Sequence, residues 1–135
     1  MNASLLVANR GEIALRIIRT AIELGMRTVA VYAEDDADSP HVHAADEAIG
    51  LPGGGPRAYL DQVAMLAAAK SSGASLIHPG YGFLSENAEF ANACAAGGYT
   101  FVGPEARVLE LLGPSVAGST GTPAAIAAPR ADVLL

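Results

Sequence analysis

Tryptophan is absent from this 135-residue chain, cysteine occurs once, and only eight residues are lysine or arginine. Each scarcity excludes something. A single thiol, Cys94, cannot close an internal disulfide, which fits a reducing, cytoplasmic setting better than a stapled secreted domain. Eight cations against fourteen carboxylates leave a formal net charge of −6. That balance argues against nucleic acid as a partner, because phosphates are neutralised by clustered Lys and Arg. No apolar run reaches the length of a membrane helix, and no N-terminal stretch combines the basic, apolar and cleavage regions of a signal peptide. The expectation is a cytoplasmic protein with no membrane partner. Metal-ligand spacing is missing too: His41 and His43 are two apart on a predicted short helix, so they face different directions, and His78 is distant.

What remains is a globular composition, 51% apolar and 16% charged, long enough to bury one core without staples. Ser4-Leu5-Leu6-Val7-Ala8 reads as a central parallel strand buried on both faces. Asn9-Arg10-Gly11-Glu12 turns the chain into a helix over Ile13 to Leu24. Ile13, Ile17, Ala21 and Leu24 share one face of it, widened by Ala14, Ile18 and Ile22, and Gly25 stands where a left-handed cap is wanted. Glu12, Arg16, Arg19 and Glu23 form the opposite, polar stripe, which serves either as a solvated face with modest ion pairs or as a subunit contact. Thr28–Tyr32 is a second strand. The acidic stretch Glu34-Asp35-Asp36-Ala37-Asp38 is read as solvated loop, since no G-x-G-x-x-G precedes it to make a dinucleotide site.

Ser39-Pro40 predicts an N-capped short helix through Ala45, and Asp46–Leu51 a third strand. Gly53-Gly54-Gly55 is loop, because no Lys-Ser or Lys-Thr follows to make a P-loop. Asp61 is placed to cap a helix with Val63, Ala64, Leu66, Ala67 and Ala68 as apolar positions, ending near Ser71 before Gly73. Ala74–Ile77 is a fourth strand. The helix over Glu86 to Ala96 follows, with Cys94 packed in it, then a fifth strand over Tyr99–Val102 and a helix over Glu105–Leu112. Strand and helix alternate throughout, predicting an α/β fold: a Rossmann-like, doubly wound open parallel sheet of about five strands.

The candidate binding loop is His78-Pro79-Gly80-Tyr81-Gly82-Phe83-Leu84-Ser85-Glu86-Asn87, at the carboxyl end of the fourth strand. Ligands of open parallel sheets gather there. Gly80 and Gly82 permit tight turns, Pro79 stiffens the exit from the strand, and Ser85 is placed to cap the next helix with Glu86 in its first turn.

This loop and Ala8-Asn9-Arg10-Gly11-Glu12-Ile13-Ala14, followed by Phe101-Val102-Gly103-Pro104, resemble the N-terminal (pre-ATP-grasp) domain of biotin carboxylase over roughly residues 3–113. The resemblance implies the ATP-dependent half-reaction of acetyl-CoA, propionyl-CoA, pyruvate and related carboxylases: MgATP and bicarbonate place a carboxyl group on N1 of biotin held by a carrier domain. It places Tyr81 and Gly82 beside the biotin ureido ring and gives Arg16, Arg19 and Glu23 a homodimer contact. Asn9, Arg10, Gly11, Glu12, His78, Pro79, Gly80, Ser85, Glu86 and Asn87 are assigned to shaping the domain. It also implies a biotin carboxyl carrier and a carboxyltransferase as partners. The lysines for ATP, the glutamates for Mg and the arginine that steadies biotin belong to later domains in that family. No catalytic residue, metal ligand or bound cofactor is therefore expected on this chain.

From Gly113 onward the pattern departs from the family. Gly113-Pro114-Ser115 stands where the family has Gly-Asp-Lys, and residues 114–135 are expected to form an irregular, mobile tail with no ATP-grasp domain. An in-frame loss of the lysine-bearing helix and a shifted or unrelated tail are the rival explanations. The chain is expected to be inactive alone. The alternatives are a non-enzymatic module docking on an intact carboxylase subunit and, last, one half of a split enzyme.

Overall fold

A computed structural model describes residues 3–103 of the chain. Five parallel strands form one sheet: β1 (Ser4–Val7), β2 (Arg27–Tyr32), β3 (Glu47–Gly50), β4 (Leu76–His78) and β5 (Thr100–Phe101), in the order β3-β2-β1-β4-β5. Helix α1 (Gly11–Glu23) joins β1 to β2, α2 (Pro40–Ala44) precedes β3, α3 (Gln62–Ser72) precedes β4, and α4 (Ala88–Ala96) precedes β5.

Alternation along the strands divides the core between the two faces. Leu5, Val7 and Ala30 pack against Ala14, Ile17, Ile18 and Ala21 of α1. Leu6, Ala8, Val29, Val31 and Ile77 pack against Met65 and Ala69 of α3 and Phe90 and Cys94 of α4. The expected doubly wound sheet, with β1 at its centre and buried on both faces, is what forms.

Several local expectations are corrected. Ile22 and Leu24 are 45% and 48% exposed rather than core, because α1 closes at Glu23 and the chain turns away through Gly25 (φ 81). On α3 the buried stripe is Met65, Ala68, Ala69 and Ser72, an i, i+3, i+4, i+7 set, while Val63 is 80% exposed. Asp61 does cap α3, its carboxylate accepting from Ala64 N–H. Ser39 makes no side-chain cap for α2; Pro40 at the first helical position sets the start. His41 is buried and His43 exposed, as their spacing implies.

The helix after the candidate loop begins later than expected. A 3-10 turn over Phe83–Glu86 comes first, and Asn87 rather than Ser85 caps α4, its side-chain oxygen accepting from Phe90 N–H at 2.9 Å. The expected helix over Glu105–Leu112 and the tail from 114 lie outside the described residues. Among the described residues no helix is long and apolar enough to cross a membrane.

Candidate functional site

The chain reverses direction across the sheet between β1 and β4, since β1 leads to β2 on one side and β4 pairs with its other side. The loops after these two strands part at that point, and the crevice between them is where such sheets bind ligands. Asn9, in the loop after β1, is 1% exposed. Its Nδ2 donates to the carbonyls of Pro79 and Tyr81, each at 2.8 Å, and its Oδ1 accepts from Arg10 N–H at 2.8 Å. Three partners leave little of this buried carboxamide unsatisfied, and they tie the first motif to the second across about seventy residues of sequence.

The tie dictates a glycine. Gly80 has φ +67, and a Cβ there would sit 2.6 Å from Asn9 Nδ2. His78, the last residue of β4, accepts from Gly80 N–H through Nδ1 at 3.0 Å, so its proton resides on Nε2. Burial lowers the His78 pKa to about 4, which keeps the ring neutral at physiological pH.

Beyond Gly80 the loop presents an edge. Tyr81 is 52% exposed, and the space a Cβ would take at Gly82 (φ +66) is empty out to 4 Å. Phe83 follows with φ 49, a conformation uncommon for a bulky residue. Its ring lies 5.7 Å from that of Tyr59, centre to centre.

A second network holds the same side of the crevice. Arg10 donates through Nε and Nη2 to the two oxygens of Asp36, at 2.9 and 3.0 Å. The Tyr59 hydroxyl donates to Asp36 Oδ2 at 2.7 Å and accepts from Ala33 N–H at 2.9 Å. Arg10 also lies over the Tyr59 ring, 5.9 Å from its centre. The hydrogen bonds from Arg10 and then Tyr59 hold the Asp36 carboxyl down to about 2. Burial and the bond to Asp36 push Tyr59 up to about 12, and Arg10 is held charged. A charged Asp36 with a neutral Tyr59 makes a fixed brace rather than an acid–base pair. Asp36 therefore does not belong to a solvated loop, as the acidic stretch around it suggested.

The structure thus brings together Asn9, Arg10, His78, Pro79, Gly80, Tyr81 and Gly82. Gly11 and Glu12 open α1 next to them, with Glu12 pointing to solvent, and Ser85 and Glu86 sit in the following turn. Arg16, Arg19 and Glu23 stand apart, exposed on the outer face of α1. Tyr59 and the true role of Asp36 escape the sequence reading. Tyr59 lies in the short 3-10 segment Pro56–Leu60, where no periodicity marks it. Among the described residues no group of three or more His, Cys, Asp or Glu is arranged to hold a metal ion. Gly82 and the exposed Tyr81 ring leave this edge of the loop open.

A sequence model of the family described as biotin carboxylase, N-terminal domain, matches residues 1–109. The chain belongs to this family. Biotin carboxylases are ATP-dependent ligases, and relatives of the domain span several of them. The biotin carboxylase of Halalkalibacterium halodurans is 50% identical over 139 aligned residues, which take in 100% of this chain and 30% of that protein. A solved single-chain, multi-domain long-chain acyl-CoA carboxylase matches with 80% identity and a TM-score of 0.82, over 83% of this chain and 11% of that one. The biotin carboxylase domain dimer of Hydrogenobacter thermophilus 2-oxoglutarate carboxylase, solved with MgADP, ADP and bicarbonate, matches with 48% identity and a TM-score of 0.80, over 84% of this chain and 25% of that one. The biotin carboxylase N-terminal domain described here thus spans between 9% and 30% of the length of its first curated relatives.

Proposed function

We propose that this domain supplies the biotin-facing edge of a biotin carboxylase that works in the cytoplasm. The assigned reaction moves a carboxyl group from bicarbonate to N1 of carrier-borne biotin and is driven by MgATP. One observation carries the reading: two distant motifs meet at the switch point of the sheet, where Asn9 holds the loop that exposes Tyr81 and opens the space over Gly82. In this reading the Tyr81 ring and the Gly82 backbone bind and orient biotin. In this reading the groups that hold ATP, Mg and bicarbonate come from other parts of the carboxylase, and the domain of residues 3–103 does not turn over by itself. A carrier domain and a carboxyltransferase complete the cycle.

The test grafts residues 3–103 in place of the matching segment of the Halalkalibacterium halodurans biotin carboxylase. Biotin- and bicarbonate-dependent ATP hydrolysis is expected from the graft and not from the isolated domain. A correctly folded but inactive graft, or turnover by the isolated domain, contradicts the proposal.

A second reading rests on α1. Arg16, Arg19 and Glu23 are exposed and make no ion pair among the described residues. That face suits a homodimer, or docking on an intact carboxylase subunit as a non-enzymatic module. Co-purification with such a subunit, lost on Arg16→Glu, supports docking; co-purification that survives the substitution contradicts it.

A further inference from the structure

We propose that Asn9 is the positioning residue for the Tyr81–Gly82 edge, acting through the backbone of the loop rather than through any contact with ligand. Its importance for carboxylation rests on the reading of that edge as the biotin side. The geometry of the latch stands on its own.

Both hydrogens of the Asn9 carboxamide are committed, one to Pro79 O and one to Tyr81 O, and these carbonyls flank Gly80 and Tyr81. Fixing the peptide planes before Gly80 and after Tyr81 restricts the torsions of this pair, Gly80 standing at φ +67, and narrows the direction in which the chain leaves it. That direction sets where the Tyr81 ring and the Gly82 backbone stand in the crevice. The side chain is itself fixed by Arg10 N–H on Oδ1, and Arg10 is anchored by its two bonds to Asp36. From the other side, Tyr59 is bonded to Asp36 and packs against Phe83, just beyond the edge. The loop is therefore gripped before and after Tyr81–Gly82, with Asn9 making the direct hold.

Chemistry narrows the residue type. Aspartate keeps the size and the acceptor for Arg10 N–H but sets a carboxylate against two carbonyl oxygens. Serine has one donor and too short a reach for both carbonyls. Leucine fills the space and leaves Pro79 O, Tyr81 O and Arg10 N–H without their partner.

The experiment is NMR on the full 135-residue chain, with no biotin present, so its failure is separate from failure of the site reading. In the unaltered protein both Asn9 side-chain N–H signals should be distinct, slow to exchange, and coupled across hydrogen bonds to the Pro79 and Tyr81 carbonyls. In Asn9→Asp, the Gly80 and Ser85 amides, bonded to His78 Nδ1 and Gly82 O, should exchange about ten-fold faster or more. The Tyr81 ring signals should shift towards free-tyrosine values, while the amides of Val29 and Ala30 in β2 keep their protection. A freely rotating Asn9 carboxamide overturns the proposal even if no variant folds. So does exchange in Asn9→Asp that rises by one common factor in loop and strand, because that pattern reports general stability and not positioning.

Discussion

At the scale of single residues, the polar groups of the crevice are defined by their partners. Tyr59 shows this most sharply, because its hydroxyl both accepts from Ala33 N–H and donates to Asp36. Tyr59→Phe leaves the ring packed on Phe83 but orphans a buried N–H and removes one support of Asp36. The expected loss is about 1–3 kcal/mol in chemical denaturation, without change of fold. The histidines set the response to acid. His78 is held neutral with its pKa at about 4, and His41, which donates from Nε2 to Val31 O, is also lowered by burial. An unfolded histidine takes up its proton near pH 6.5. Between that pH and about 4 the unfolded state binds more protons, so stability falls as pH falls through this window. Asp36, depressed in the fold, adds a further loss below its unfolded value near pH 4. Thermal unfolding from pH 7.5 to 5 should show a declining midpoint, and His78→Gln, which keeps an acceptor for Gly80 N–H, should make the decline shallower. An unchanged slope would assign the acid sensitivity to His41.

At the scale of elements, strands and helices were legible and their ends were not. β1, β2 and α1 could be read because buried strands are continuous apolar runs and an amphipathic helix repeats every three to four residues. Helix ends depend on which side chain reaches a free N–H, and several polar residues in a row offer the same chemistry. Ser85 and Asn87 are such a pair: both are suitable caps, but the 3-10 turn over Phe83–Glu86 delays the helix and gives the place to Asn87. Asn87→Ala is expected to cost about 1 kcal/mol and Ser85→Ala close to nothing. Equal costs from the two would contradict the cap as described. The α3 face was misplaced for a related reason. In an alanine-rich helix the apolar pattern is nearly isotropic, and only the sheet beneath decides that Met65 goes in and Val63 stays out. The candidate site was half legible. Asn9 and the His78–Asn87 loop announce themselves as motifs, whereas the Arg10–Asp36–Tyr59 brace joins residues that no local pattern connects.

At the scale of the whole molecule, the sheet is a device for placing one loop. The order β3-β2-β1-β4-β5 sets the ends of β1 and β4 side by side, and the divergence of their loops makes the crevice. Cores on both faces hold that arrangement: Ile17 and Ile18 on one, Met65 and Phe90 on the other. The chain spans only part of its carboxylase relatives, and the site proposed for it is an edge, Tyr81 and Gly82, that is exposed in this domain. The most direct test of that account is the KM for biotin in the grafted carboxylase, compared with the same graft carrying Tyr81→Ala. Loss of one stacking aromatic, about 0.5–1.5 kcal/mol, should raise the biotin KM by about two- to ten-fold while leaving the KM for ATP unchanged. An unchanged biotin KM, or equal effects on both substrates, would contradict the placement of biotin at this edge.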